Sequence, residues 1–257
     1  MSIIVFSLNV WNLNENYKSR MKTLDDYLID LRPDIVCLQE ISVDPESGRP
    51  QTSELSKYSL CSSQLYSSQG KWGEREEGLA TFSKLPIIAF NSFMLPDAPE
   101  DMQRRVQLLV AECCGKRLLI ANTHLAYHLH REGDRVRQCE VIEAHLRRAA
   151  IQYDTAGIIL AGDLNTLPDS QSLDVFKNSS LGLIEIFEKS AERETSFSFP
   201  KESPYMDEAL WPDRWIDYIF ASSSISVRDK RLALNGGQNG AFVSDHAALE
   251  ATFELCE

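Results

Sequence analysis

The strongest constraint on this chain is an apolar pattern that occurs twice. Ile3-Ile4-Val5-Phe6 is a short β-branched and aromatic run of the kind that forms a buried strand. Met21, Leu24, Leu28 and Leu31 follow at helical spacing with charged residues between them. Pro33 closes that helix, and Ile35-Val36-Cys37-Leu38 is a second buried run. The same order returns in mid-chain: Leu118-Leu119-Ile120-Ala121, a helical face of Val136, Cys139, Ile142 and Leu146, then Ile158-Ile159-Leu160-Ala161. Two strand-helix-strand units predict an α/β fold with layered sheets and a pseudo-duplicated plan. Residues 79–82, 107–110, 216–220 and 249–253 supply further strands. No stretch reads as a linker, and the Pro- and acid-rich piece 96–101 is short enough for a surface loop. Residues 1–257 are therefore expected to form one domain.

Composition narrows the class further. With 43% apolar residues the chain has ample material for a core, which excludes a disordered segment. No apolar run approaches the ~18 residues of a membrane span. Met1-Ser2-Ile3-Ile4 lacks the basic start of a secretory signal. The six cysteines form no Cys-x-x-Cys pair, which suits buried free thiols in a reducing compartment. A cytoplasmic protein without stable membrane association is expected. The formal charge of −12 argues against a tight, nonspecific grip on a polyanion.

The informative residues follow the apolar runs. Phe6 is followed by Ser7-Leu8-Asn9-Val10-Trp11, and Leu38 by Gln39-Glu40. Ala121 is followed by Asn122-Thr123-His124-Leu125, and Ala161 by Gly162-Asp163-Leu164-Asn165. Asp217 stands inside the apolar run 215–220, and Ser244-Asp245-His246 precedes the final strand. A Gly-Asp-x-Asn alone is a good turn, and a lone His at a strand end is ordinarily just solvated. An acid flanked by Ile216 and Tyr218 is harder to dismiss, because an unpaired buried carboxylate is costly. In layered α/β folds the strand ends converge on a ligand crevice. Glu40, Asp163, Asp217 and Asp245 gathered there would repel one another unless a hard divalent cation intervened. Oxygen ligands without thiolates point to Mg²⁺ or Mn²⁺. With His124 and His246 added, the set suits attack of water on a phosphate ester.

Taken in order, Leu-Asn-x-Trp, Gln-Glu, Asn-Thr-His-Leu, Gly-Asp-Leu-Asn, Ile-Asp-Tyr-Ile-Phe and Ser-Asp-His resemble the motifs of the endonuclease/exonuclease/phosphatase superfamily, the deoxyribonuclease-like Mg²⁺-dependent phosphoesterases. The resemblance runs over nearly the whole chain and includes Gly78-Leu79-Ala80-Thr81-Phe82-Ser83. It implies a four-layer α/β/β/α sandwich, two mixed sheets face to face with helices outside. It also implies roles. Glu40 would be the principal metal ligand, with Asn9 beside it and Asp245 in or near the coordination sphere. Asp163 would align and deprotonate the attacking water while Asn165 holds the phosphate. His246, oriented by Asp217, and His124, oriented by Glu77, would flank the phosphoryl group.

The substrate is less legible. Trp11 stands where abasic-site repair members of the family tend to carry Asp, and Tyr218 where inositol-phosphate 5-phosphatases place Arg. Trp11 and Arg105, the latter at a strand start, are expected at the crevice rim as substrate contacts. The arginines at 131, 135, 137, 147 and 148 alternate with acids and read as a solvated helix face. Trp211 and Trp215 read as core, and the Gly- and Asn-rich segment 235–240 as a lid or a connector. A monomeric metal-dependent phosphodiesterase or nuclease acting on nucleic acid or nucleotide-like esters is the favoured reading. A sphingomyelinase-like phospholipid or small-molecule phosphatase is the alternative within enzymes, and a non-catalytic binding module on the same scaffold the alternative outside them.

Overall fold

The computed structural model describes residues 2–96, 102–206, 212–236 and 240–255. Trp211, Cys256, residues 97–101 of the acidic loop and residues 237–239 of the Gly- and Asn-rich segment lie outside the described residues. In chain order the elements are β1 (Ser2–Asn9), α1 (Tyr17–Leu31), β2 (Ile35–Ser42), β3 (Ser63–Trp72), β4 (Arg75–Ser83), β5 (Ile87–Met94), β6 (Arg105–Cys113), β7 (Lys116–His124), α2 (Glu132–Tyr153), β8 (Gly157–Asp163), α3 (Gln171–Lys177), β9 (Leu183–Glu185), α4 (Ala191–Thr195), β10 (Asp217–Ser222), β11 (Ile225–Ala233) and β12 (Ala248–Leu255).

The strands form two six-stranded sheets, ordered β11-β12-β1-β2-β4-β3 and β5-β6-β7-β8-β10-β9. At the middle of each lies a parallel pair, β1 with β2 and β7 with β8, joined across α1 and α2 respectively. Antiparallel strands complete both sides: β12 on β1 and β4 on β2 in one sheet, β6 on β7 and β10 on β8 in the other. The two sheets thus repeat one plan position by position, the doubling expected from the apolar pattern. Among the described residues no helix is long and apolar enough to cross a membrane.

Period-two alternation decides which layer each side chain enters. Phe6, Leu8, Val36 and Leu38 pack with Met21, Leu24 and Leu28 of α1. Ile3, Val5, Ile35 and Cys37 face the other way and join one cluster with Leu108, Leu118 and Ile120 of the second sheet, a cluster that also takes in Cys139, Ile142 and Leu146 of α2. Cys37, Cys113 and Cys139 are buried free thiols, as expected of the cysteines, whereas Cys61 and Cys114 are exposed.

Along β1 and β2 the positions between the sheets change from apolar to polar, Ser7 and Asn9 after Val5, and Gln39 after Cys37. All three are buried. Asn122 meets them from β7. Its Nδ2 donates to the carbonyls of Leu38 at 3.2 Å and Ala80 at 3.1 Å, and to Thr81 Oγ1 at 3.2 Å, while its Oδ1 accepts from Gln39 Nε2 at 2.8 Å. Thr81 in turn donates to Gln107 Oε1 at 2.7 Å, and Gln107 donates to Ser67 Oγ at 3.0 Å. This connected polar layer ties both sheets together directly beneath the strand ends. Asn122→Ala is expected to lower the unfolding free energy by about 2–4 kcal/mol, because it strips donors from buried acceptors on two strands. Urea denaturation measures it.

Candidate active site

The parallel strands β1, β2, β7 and β8 end on the same side of the sandwich, while their antiparallel neighbours β10 and β12 begin there. Asn9, His124 and Asp163 occupy strand ends, Asp217 opens β10 in register with Asp163, and Asp245 and His246 immediately precede β12. Glu40 needs a special device. Simple alternation from Gln39 would send its side chain to the other face. A register shift between Leu38 and Ile41 against β4 and a left-handed backbone at Glu40 (φ 56°) accompany its placement in the crevice instead. In Gly-Asp-Leu-Asn the glycine is required by space: at Gly162 (φ 148°) a Cβ would stand 2.0 Å from the Thr123 carbonyl oxygen. Asn165 (φ 51°) then turns the chain so that its N–H reaches Asp163 Oδ1 at 2.9 Å.

These ends surround a cavity of about 290 Å³ lined by Glu40, Glu77, His124, Asp163, Asp245 and His246 among others. Asn9 Nδ2 donates to Glu40 Oε1 and to Asp163 Oδ2, each at 3.0 Å, and Asn9 Oδ1 accepts from the Trp11 N–H at 3.0 Å. Expected as an oxygen ligand, Asn9 therefore presents its NH₂ group to the acids and acts as a bridge between two carboxylates.

Asp163 lies between the two histidines, with Oδ2 at 3.4 Å from His124 Nε2 and 3.8 Å from His246 Nε2. The histidines are held in opposite states. A guanidinium only donates, so Arg104 Nη1 at 3.0 Å makes His124 Nδ1 an acceptor and leaves the proton on Nε2. Burial, the Arg104 charge and His246 together hold His124 well below the usual imidazole range, so it is neutral. His246 Nδ1 pairs with Asp217 Oδ2 at 2.9 Å. Burial alone would lower His246, but the carboxylates of Asp217, Asp245 and Asp163 outweigh it and push it up to about 10, so it is an imidazolium. Burial, then the Asp217 charge, raises Asp163 to about 7. Burial and Glu40 raise Asp245 to about 6 against the pull of His246.

Two trios among the described residues, Glu40–Glu77–His124 and Asp163–Asp217–His246, bring candidate ligand atoms within 4.8 Å of one another. Glu77 thus reaches the neighbourhood expected of it, while the hydrogen bond found at His124 Nδ1 comes from Arg104. Arg105, expected at the rim, turns away: its guanidinium bonds Ser92 Oγ at 3.3 Å, and Arg104 lines the cavity instead. Successive residues of an extended chain point to opposite faces, so choosing between adjacent arginines from sequence was a choice of register. Trp11 does line the cavity, its ring 5.4 Å from that of Tyr205.

Several contributors carried no motif. Arg214, nearly buried and 4.6 Å over the Phe199 ring, lines the cavity, and Phe199 meets His246 edge-on at 4.7 Å. Tyr127 also lines it. The one available signal was proximity, since Arg214 precedes Asp217 by one turn of chain. Trp215 is buried core, and the Tyr218 hydroxyl donates inward to the Thr166 and Trp215 carbonyls. The arginine-rich helix departs from a wholly solvated face at Arg135, which is buried and donates to the carbonyls of Ala126, His128 and Leu129.

A layered sandwich whose strand ends focus acids, an imidazole, an imidazolium and two arginines on one polar cavity is the frame of a hydrolytic phosphoesterase. The model of the Endonuclease/Exonuclease/phosphatase family matches residues 6–246, and the chain belongs to that family, whose members are divalent-metal-dependent phosphoesterases. The Drosophila melanogaster protein angel is 27% identical over 274 residues, covering 93% of this chain and 73% of that protein. The human Nocturnin catalytic domain with bound sulfate superposes with a TM-score of 0.78 at 20% identity, covering 99% of this chain and 95% of that one. TDP2 from D. rerio, complexed with a single-strand DNA product, gives 0.77 at 20% identity, covering 98% and 99%.

Proposed function

We propose that this protein hydrolyses phosphodiesters of nucleic acid or nucleotide-like substrates with Mg²⁺ or Mn²⁺ as cofactor. The observation that carries the reading is Asp163 set between a neutral and a charged imidazole beside a cluster of acids. The acids fit a hard cation. Glu40, Asp245 and the adjacent Glu77 offer oxygens, and Asp245 is raised by burial and by the neighbouring Glu40 carboxylate, a cost that a bound cation would offset. Glu40 and Asp245 would hold the ion, which when bound supplies positive charge to the acids and to the phosphoryl oxygens.

The protein's own groups account for the rest. Asp163, with a pKa near neutrality, accepts the proton of the attacking water, and the Asn9 and Asn165 contacts fix its orientation. His124 donates from Nε2 without adding charge. His246, kept charged by Asp217, stabilises the negative charge that grows on the phosphoryl oxygens and is placed to protonate the leaving oxygen. Arg104 and Arg214 add fixed positive charge to a cavity rich in acids. A nucleic-acid substrate is supported by the likeness to a TDP2 that holds a single-strand DNA product, and by the Trp11–Tyr205 aromatic pair at the cavity.

The test is hydrolysis of a short single-stranded oligonucleotide and of bis-p-nitrophenyl phosphate, with Mg²⁺, Mn²⁺ or chelator, for the wild type and Glu40→Gln. Turnover is expected with either metal and not with chelator, and Glu40→Gln should require at least about tenfold more metal. Metal-independent turnover would remove the cofactor assignment. Hydrolysis of bis-p-nitrophenyl phosphate without any oligonucleotide cleavage would remove the nucleic-acid assignment.

A further inference from the structure

A second cavity, of about 380 Å³, adjoins the catalytic one, and Arg214 lines both. It has no part in the chemistry described above. Its apolar contributors are Leu167, Pro168, Phe197 and Trp215. Leu167 and Phe197 are 52% and 41% exposed, and both belong to the lining of this one cavity. Trp215 is 3% exposed, yet among the described residues its indole Nε1 has no hydrogen-bond partner, and neither has Nη1 of Arg193, whose guanidinium lies 4.5 Å over the Trp215 ring. Both side chains line the cavity, and a buried donor without an acceptor is an energetic cost that a ligand bringing acceptor atoms to this lining would reduce.

Charge decides what kind of ligand. The described residues around the cavity bring three acids and three bases, which cancel. A phosphate dianion gains little from such a lining. A flat, neutral heteroaromatic gains from all of it: apolar faces against Leu167 and Phe197, ring nitrogens or carbonyl oxygens toward the unpartnered donors, and exocyclic amines toward the acids. We infer that this cavity is a nucleobase subsite, which receives the base of a nucleotide next to the phosphodiester held in the catalytic cavity, with Arg214 between the two.

The inference rests on the nucleic-acid reading, and its test separates the two. Saturation-transfer NMR with adenosine, guanosine, cytidine and uridine probes base binding independently of turnover. Transfer to base protons is expected for at least one nucleoside, and it is expected to fall in Leu167→Ala/Phe197→Ala, whose exposed side chains can be cut back without unfolding the protein. In kinetics, that double variant should lose about tenfold or more in kcat/KM on an oligonucleotide. It should stay within about twofold of wild type on an oligonucleotide abasic next to the cleaved bond and on bis-p-nitrophenyl phosphate. Absence of nucleoside binding overturns the subsite, as does binding that is unchanged in the double variant or lost instead in Trp11→Ala. An inactive wild type that still binds nucleosides through Leu167 and Phe197 overturns the hydrolytic reading and leaves the subsite standing.

Discussion

Asp163→Asn is expected to lower kcat by roughly 10²–10⁴-fold with a smaller change in KM. The amide keeps the shape of the side chain and an oxygen for the Asn165 N–H, so the fold should persist by circular dichroism. What disappears is the carboxylate between His124 and His246 that is proposed to take the proton of the attacking water. The neighbouring pair behaves as a unit. His246→Gln and Asp217→Asn each remove the charged state of the imidazole, one by deleting it and the other by deleting the carboxylate 2.9 Å from its Nδ1. The double variant should therefore be little worse than the poorer single variant, a non-additivity that two independent residues would not show. Near-wild-type turnover of Asp163→Asn, or strict additivity of the other two, would dismantle this assignment of roles.

The second large effect is on stability and comes from a residue outside the chemistry. Arg20 projects from α1 and is almost wholly buried. Its Nη1 donates to the carbonyls of Val10 at 2.7 Å and Val243 at 2.8 Å. Its Nη2 reaches the carbonyls of Trp11, Asn12 and Asn14, and its Nε that of Glu15 at 2.9 Å. One guanidinium thus pins the turn that follows Asn9 and ties it to the segment leading into Asp245 and His246. Its planar fork of five donors explains why Lys cannot replace it. Arg20→Ala is expected to cost about 3–5 kcal/mol, because it leaves several buried carbonyls without a donor. Arg20→Lys should recover only a part. Denaturant titration measures both. A loss under about 1 kcal/mol would mean that water satisfies these carbonyls as well as the guanidinium does.

Much of this protein was legible in its sequence because two kinds of information are local. Apolar runs and helical spacing specify elements, so the doubled strand-helix-strand pattern carried the sheet plan with its two parallel centres. Polar residues immediately beyond those runs are carried to the strand ends wherever the strands go, so Glu40, His124, Asp163, Asp217, Asp245 and His246 could be grouped before any contact was known.

What only the tertiary structure decided depends on facing and on distance through space. Whether Arg104 or Arg105 enters the cavity is a matter of which side of an extended chain each one faces. That Arg104 fixes the His124 tautomer, and that Asn9 offers its nitrogen to two acids, depends on contacts between residues far apart in sequence. Arg20 reads in sequence as an ordinary charged residue on a helix, since none of its carbonyl partners is marked by side-chain chemistry. The opposite charge states of His124 and His246 are set by burial and by which neighbour touches which ring nitrogen. The sequence marked the acids and histidines that reach the crevice, but not the arginines and aromatic residues that join them. Three-dimensional packing determined what each is there to do, because protonation and hydrogen-bond direction belong to the environment and not to the residue.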